Sequence, residues 1–168
     1  MPTPDFILSL RARVGHDPLW LCGVTAVVLR EGRAGPEVLL VRRSDTGEWT
    51  AVGGIVDPGE HPAATAEREV LEETGVVCEV EGLAAVSVGP PTIYPNGDQV
   101  QFLTHTLRCR HLTGAARVGD EESVDVGWFP VDGLPEMRPF FVERIRHAVE
   151  FDGRTRLPRE VDVDPPQG

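Results

Sequence analysis

The chain has 168 residues, of which 26% are charged, and its formal net charge is −11 at pH 7. This length suits one domain with a buried core, and no apolar run approaches the roughly 18 residues that span a bilayer, so we expect no membrane partner. The acidic balance argues against binding duplex nucleic acid, which needs clustered Lys and Arg. A small phosphorylated ligand remains compatible, because local charge can hold it.

The N-terminal segment does not have the pattern of a secretory signal, because no long apolar stretch follows a basic region. Its apolar residues instead recur at helical spacing, at Phe6, Ile7, Leu10 and Val14. This periodicity predicts a short helix. We interpret residues 1–19 as an N-terminal helical extension of the domain.

The cysteines give no sign of a disulfide framework or a zinc site. They are three in number and widely separated, at Cys22, Cys78 and Cys109. No CxxC arrangement is present. Reduced thiols and a cytoplasmic location are the simplest expectation.

The next part of the chain predicts β-strands that lead into a glycine turn. Residues 21–29 and 38–41 are apolar and rich in β-branched side chains, and a turn-forming segment separates them. Residues 49–52 predict a further short strand, which enters the pair Gly53 and Gly54. A helix should then begin near Pro62, since proline is tolerated in a first helical turn. It should end at Gly75, a residue suited to a left-handed cap.

Three glutamates stand on one side of this predicted helix. Glu69, Glu72 and Glu73 have i, i+3 and i+4 spacing, which places their carboxylates about one turn apart. Such a cluster repels itself unless a cation neutralises it, and Mg²⁺ prefers oxygen ligands of this kind. A solvated acidic face would give the same spacing. The glutamates alone therefore leave both interpretations open.

The residues around the glutamates decide between these interpretations. The segment from Gly54 to Val76 fits the pattern G-x5-E-x7-R-E-U-x-E-E-x-G-U, where U is a bulky aliphatic residue. The matching residues are Gly54, Glu60, Arg68, Glu69, Val70, Glu72, Glu73, Gly75 and Val76. This segment resembles the Nudix box, the signature of the Nudix hydrolase family. Agreement at all nine constrained positions makes chance an improbable explanation.

The rest of the chain is typical of one α/β domain. Residues 76–88 and 100–107 predict strands, with a turn between them at Pro95, Asn96, Gly97 and Asp98. Alternating apolar residues up to Trp128 predict another strand, and residues 140–151 predict an amphipathic helix.

The resemblance implies the Nudix fold, an α/β (α+β) domain in which a mixed sheet is sandwiched between helices. We expect this single domain to cover residues 20–151. The polar, proline-bearing residues 152–168 predict a flexible C-terminal tail.

The resemblance also implies a reaction, namely hydrolysis of a nucleoside diphosphate linked to another moiety. The implied cofactor is Mg²⁺, for which Mn²⁺ can substitute. The implied metal ligands are a backbone carbonyl of Gly53 and the carboxylates of Glu69, Glu72 and Glu73. Arg68 and Glu60 would hold these ligands in place, as groups behind a metal site commonly do.

The general base is not fixed by the box. In the family it is either a box glutamate, here Glu72 or Glu73, or an acid from a later loop. The loop at residues 119–122 carries such acids before the strand of Trp128. We choose Glu122 as the further catalytic residue, with Glu121 second and an ordinary charged loop as the alternative.

The substrate is the least determined feature. Pro91 lies 15 residues after Val76, where ADP-ribose pyrophosphatases of the family carry a proline. This favours ADP-ribose or a nucleotide sugar as the substrate, although the adjacent Pro90 makes a coincidental match easy. The alternatives are an oxidised nucleoside triphosphate and a catalytically silent protein that only binds nucleotides.

Three further side chains are candidates for substrate binding. Tyr94 could stack on a base, and Arg42 or Arg43 could meet phosphates. Because neighbouring strand residues face opposite sides, only one of the two arginines should point into a cleft. A homodimer through the N-terminal helix and the strand around Val100 is also left open.

Overall fold

A computed structural model describes residues 3–94, 96–119 and 121–162. The elements of this described part, in chain order, are α1 (Asp5–Val14), β1 (Leu19–Gly32), β2 (Gly35–Arg43), β3 (Trp49–Thr50), β4 (Val52–Ile55), α2 (Pro62–Thr74), β5 (Val77–Val88), β6 (Thr92–Ile93), β7 (Gln99–Thr113), β8 (Ser123–Pro130) and α3 (Pro139–Val149). Pro95 of the predicted turn, Asp120 of the acidic loop and residues 163–168 of the predicted tail lie outside the described residues.

Strands β1 and β2 form a hairpin that opens into two branches. Residues 29–32 of β1 pair with residues 35–38 of β2. Away from this turn, residues 23–26 of β1 pair with β4, whereas β2 continues along β8. Since β1 and β2 are joined only near their shared turn, they separate farther along. This separation opens a space at one end of the sheet.

The sheet is mixed and has helices on both faces. β7 runs parallel to β1 and antiparallel to β5. On one face Val70 of α2 packs in a buried cluster with Val24 of β1. On the other face Ile145 of α3 packs in a second cluster with Val27 of β1. The predicted Nudix-type sandwich of a mixed sheet between helices is thereby confirmed.

Helix α2 begins and ends where the sequence predicts. The ring of His61 accepts a hydrogen bond from the Ala63 amide, and Pro62 occupies the first turn. Gly75 ends the helix with φ 68°, a left-handed conformation that glycine adopts at low cost. Glu67 has a structural partner, since its carboxylate accepts a hydrogen bond from the Val80 amide of β5 at 3.0 Å.

Helix α1 packs on its own domain. Its Ile7 is buried with Leu21 of β1 and Val100 of β7. The side chain of Arg11 donates to the backbone carbonyl of Gln99 at 2.7 Å. The predicted N-terminal helix therefore covers one end of the sheet, and a homodimer through it remains a prediction.

The C-terminal segment follows the edge strand β5 as far as it is described. Arg156 forms a parallel bridge with Ala85 and exchanges backbone hydrogen bonds with Ala84 and Val86. The amide of Asp162 donates to the Val88 carbonyl at 2.8 Å. Residues 156–162 thus differ from the expected flexible tail, because the free edge of β5 supplies partners that composition does not reveal.

Two further sequence expectations concern the whole chain. All three cysteines are free thiols, with Cys78 and Cys109 buried and Cys22 exposed. Among the helices of residues 3–94, 96–119 and 121–162, none has the length and apolar character to cross a membrane.

Candidate active site

A cleft of about 750 Å³ occupies the space between the two branches of the sheet. The cleft is lined by the turn of Gly53 and Gly54, by one face of α2, by α1 and by the loop around Tyr94. Most of the residues singled out in the sequence lie along this cleft.

Arg68 and Glu60 form a two-point ion pair at the start of α2. The Nε and Nη2 atoms of Arg68 each donate to Glu60 at 3.0 Å, and the Thr65 hydroxyl adds a bond at 2.8 Å. These contacts lower the pKa of the Glu60 carboxyl to about 2, chiefly through Arg68. The remaining Arg68 nitrogen, Nη1, donates to Glu69 at 2.9 Å and to Glu72 at 3.2 Å.

Glu69 is a buried carboxylate, with only 1% of its surface exposed. Burial raises the pKa of its carboxyl to about 7, while Arg68 opposes that rise. Its side chain lies against Gly54, where an added Cβ would stand 2.5 Å from the Glu69 carboxylate. The glycine turn is therefore required for this carboxylate to reach the cleft.

The other two box glutamates differ in exposure. Glu73 is 6% exposed and lines the cleft together with Gly53. Glu72 is exposed on the outer side of α2 and is not part of the cleft wall. The i, i+3, i+4 spacing therefore brings Glu69 and Glu73 into the cleft and leaves Glu72 at its rim.

Glu122 also lies on the wall of this cleft. Two contacts guide the chain to this position. The amide of Gly119 donates to the Glu73 carbonyl at 2.8 Å, and the Ser44 amide donates to the Glu122 carbonyl at 2.7 Å. Glu121 is exposed outside the cleft wall, so the position favours Glu122 over Glu121.

The predicted substrate-binding residues separate as alternation along β2 requires. Arg43 lines the cleft, where its guanidinium pairs with Asp45 at 2.5 to 2.8 Å. Arg42 points away and donates to the Gly47 carbonyl at 2.9 Å. Tyr94 is exposed on the cleft wall.

Sequence reasoning missed two arginines of the cleft, Arg11 of α1 and Arg144 of α3. Arg144 of α3 is 8% exposed and lines the cleft beside Thr25, Thr104 and Phe141. A signal was present, because Arg144 falls on the same helical face as the buried Ile145 and Ala148. A basic residue among the core positions of an amphipathic helix predicts a buried polar contact.

A family comparison identifies the protein class. The sequence model of the NUDIX domain matches residues 21–150. The chain belongs to the Nudix hydrolase family. It is accordingly a pyrophosphohydrolase, the class to which this family's members belong.

Curated relatives match most of this Nudix hydrolase. A MutT-like protein of Streptomyces ambofaciens is 33% identical over 81% of this chain and 81% of its own length. The 8-oxo-dGDP phosphatase of Homo sapiens is 31% identical over 84% of this chain. A NAD-capped RNA hydrolase of Actinobacillus succinogenes is 32% identical over 71% of it. The match spans 44% of the length of each of the last two proteins.

Solved structures confirm the Nudix fold. An ADP-ribose pyrophosphatase from Streptococcus suis has a TM-score of 0.58 and 23% identity, covering 82% of this chain and 98% of that one. The MutT protein from Methanosarcina mazei has a TM-score of 0.59 and 20% identity, covering 82% and 99%. At these identities the likeness concerns the fold alone.

The residues of this Nudix hydrolase fit the divalent cation that family members use. Glu69 and Glu73 are buried carboxylates on the cleft wall, and a bound divalent cation would offset the cost of burying their charges. All the donors are oxygen atoms, which suits Mg²⁺ or Mn²⁺. Within the described part of the chain, no three acidic, histidine or cysteine side chains already surround a common point. Arg68 Nη1 lies between Glu69 and Glu72, so it is the contact with which a cation would compete.

Proposed function

We propose that this Nudix hydrolase cleaves the pyrophosphate bond of a nucleoside diphosphate derivative with the help of Mg²⁺. The observation that carries the proposal is the shared cleft of Glu69, Glu73, Gly53 and Glu122. Three acidic side chains along one cleft suit a metal-bridged phosphate chain. An anionic substrate alone would be repelled by them.

Each site residue has a role in this proposal. Glu69 and Glu73 hold the metal from the cleft wall, Glu72 holds it from the rim, and the Gly53 carbonyl contributes a further oxygen. Arg68 donates two hydrogen bonds to Glu60. This ion pair holds in place the surface of α2 on which the metal ligands lie. When bound, the metal neutralises phosphate charge and lowers the pKa of a bound water.

The proton of the attacking water needs an acceptor in the cleft. Glu122 lines the same cleft as Glu69 and Glu73, which suits a base that acts on a water in that cleft. Arg43 also lines the cleft and can contact a phosphate oxygen. Tyr94 lines the cleft as well, and its ring can contact the substrate there.

The choice of substrate lies between two groups of compounds. Pro91, which favours ADP-ribose or a nucleotide sugar, is exposed and does not line the cleft. Of three relatives at 31–33% identity, one is a MutT-like protein and one is named for 8-oxo-dGDP, which favours oxidised nucleotides, whereas the third is named for NAD-capped RNA. We therefore place oxidised nucleoside di- and triphosphates first and ADP-ribose with nucleotide sugars second.

A substrate panel tests this proposal. The protein is incubated with Mg²⁺ and with 8-oxo-dGDP, 8-oxo-dGTP, ADP-ribose, nucleotide sugars and dinucleoside polyphosphates, and the released phosphate species are measured. We expect 8-oxo-dGDP or 8-oxo-dGTP to give the highest kcat/KM. Tight binding of one compound without hydrolysis of any would overturn the assignment and support a silent nucleotide-binding protein.

Variants of α2 test the metal ligands. Glu72→Gln and Glu73→Gln should each lower kcat by about 100-fold or more, because each removes charge from a preorganised site. Glu67→Gln is the matched control, since it changes the same charge on the same helix and can still accept the Val80 hydrogen bond. Equal losses in all three variants would show that the position of the charge is unimportant.

A further inference from the structure

Arg144 carries a buried guanidinium and lines the cleft. Its surface is 8% exposed, and it projects from α3 toward β1 and β7. The residue lies far along the chain from the box and has no part in the metal site. Burying a guanidinium is costly unless its N–H groups find acceptors.

The described residues supply too few acceptors for this guanidinium. Nη1 reaches the Thr25 hydroxyl at 3.3 Å, and Nη2 reaches the Thr104 hydroxyl at 3.5 Å, both near the limit of a hydrogen bond. Among the described residues, none accepts from the buried Nε. A guanidinium has five N–H donors, and these two contacts together with an Nη2 bond to Asp162 use three of them, so two remain on a residue that lines the cleft.

One strong contact holds Arg144 in place from behind. Nη2 donates to the Asp162 carboxylate at 2.9 Å, and both side chains are largely buried. Asp162 is itself fixed by the Ser87 hydroxyl at 3.0 Å and by its own backbone bond to Val88. Asp162 does not line the cleft, so it acts as a positioning residue for Arg144.

Aromatic side chains border the space in front of Arg144. Phe102 and Phe141 both line the cleft, and the Phe141 ring centre lies 5.9 Å from the Arg144 guanidinium carbon. Gly23 leaves room for the Phe102 ring, since an added Cβ would stand 3.2 Å from it. Flat apolar walls beside polar donors suit a nucleobase.

We propose that Arg144 selects the base of the substrate by donating to the O6 carbonyl of a guanine-type purine. Guanine offers O6 as an acceptor, whereas adenine carries an N6 amino donor at the same position. An amino group facing the guanidinium would leave donor against donor in a buried site. The O6 carbonyl is retained when guanine is oxidised at C8. This inference rests on the proposed function, because it assigns the base end of the same cleft.

The test is equilibrium binding of GMP and AMP without divalent cation, by calorimetry or NMR titration. We expect the wild-type protein to bind GMP more tightly. Arg144→Lys keeps the charge and loses the planar donor fork, so GMP affinity should fall by roughly tenfold or more while AMP affinity stays the same. Asp162→Asn should reduce the preference for GMP over AMP without removing a cleft residue. This variant provides the test if Arg144→Lys does not fold.

The control lies in the same C-terminal segment. Glu160→Gln changes an equal charge at an exposed position and should leave both affinities unchanged. Equal wild-type binding of GMP and AMP would overturn the inference. So would an equal loss of both ligands in Arg144→Lys, since the guanidinium would then contact phosphate or ribose, and competition by inorganic pyrophosphate identifies the phosphate case.

The metal-free binding test separates this inference from the proposed function. Selective GMP binding by a protein that hydrolyses none of the panel compounds would contradict the proposed function alone. Hydrolysis of guanine and adenine compounds with equal kcat/KM, together with equal binding of GMP and AMP, would contradict only the inference.

Discussion

At the scale of single residues, burial matters as much as spacing. The sequence places Glu69, Glu72 and Glu73 on one side of a helix, and the fold then gives them different surroundings. Glu69 is held between Gly54 and Arg68 and is almost completely removed from solvent. Glu72 remains exposed. Spacing alone could not predict this difference, because it depends on where the glycine turn crosses the helix.

The buried Glu69 predicts a pH dependence of stability in the metal-free protein. Its pKa is raised by burial to about 7, so the folded state holds this proton more tightly than the unfolded chain does. The resulting stabilisation is complete below the unfolded pKa of about 4.5 and is lost as the pH rises through about 7. Glu69→Gln avoids that loss. We expect equal Tm values at pH 4.5 and a Tm higher by a few degrees for the variant at pH 8.

The measurement is thermal unfolding in EDTA from pH 4.5 to pH 8. Glu72→Gln removes the same charge from an exposed position and should show no such pH-dependent gain. Added Mg²⁺ should stabilise the wild-type protein more than Glu69→Gln at pH 8. A Glu69→Gln protein that is less stable than wild type at pH 8 in EDTA would contradict the expected cost of this buried charge.

At the scale of elements, helix α2 positions a loop that is distant in sequence. The segment before β8 follows the end of α2, where Arg117 and Gly119 donate to the carbonyls of Thr74 and Glu73. These contacts use carbonyl groups that a helix end leaves without partners. They carry the chain to Glu122. The sequence could predict an acid in this loop. It could not predict that Gly119 lets the loop approach the end of α2, because no motif surrounds this glycine.

Gly119 therefore predicts a long-range effect on catalysis. An added Cβ would stand 1.9 Å from the Glu72 carbonyl oxygen, so Gly119→Ala must displace the loop. We expect a loss of about 1–3 kcal/mol in the free energy of unfolding. We also expect a lower kcat, because Glu122 moves with the loop.

Denaturant unfolding and steady-state kinetics measure the two effects. Gly133→Ala is a suitable control, since its Cβ would meet neighbours at an ordinary 3.6 Å. An unchanged kcat in a Gly119→Ala protein that is clearly destabilised would show that the loop acid does not take part in the reaction.

At the scale of the whole molecule, the sheet brings distant segments together. The strands, the bounds of α2 and the Nudix box follow from local patterns in the sequence. The cleft does not, because it results from β1 and β2 taking different partners beyond their shared turn. Arg144 and the docked segment around Arg156 were missed for a related reason. Their partners are strand edges and hydroxyls that are remote in sequence.

Removal of residues 153–168 tests whether the stability of the fold and the metal requirement both depend on the C-terminal segment. The truncated chain keeps Phe151, which packs near Gly82, but loses the backbone partners of Val86 and the counter-ion of Arg144. An unpaired buried guanidinium costs about 3–5 kcal/mol, so Tm should fall by several degrees.

The Mg²⁺ concentration that gives half-maximal activity should not change, because the box glutamates lie on α2, whereas the described part of the C-terminal segment follows β5. Differential scanning calorimetry and a Mg²⁺ titration of kcat measure the two properties. A large shift in the Mg²⁺ requirement would show that the C-terminal segment supports the metal site.

The three nitrogens of Arg68 have a consequence for metal uptake at the proposed site. Two of them bond to Glu60, and the third lies between Glu69 and Glu72, where it neutralises their charge. In the proposed metal site the guanidinium is thus a resident substitute for the cation. The protein would lose its metal without leaving these two glutamates to repel each other, and metal uptake would be an exchange of one positive charge for another on a helix that is already folded.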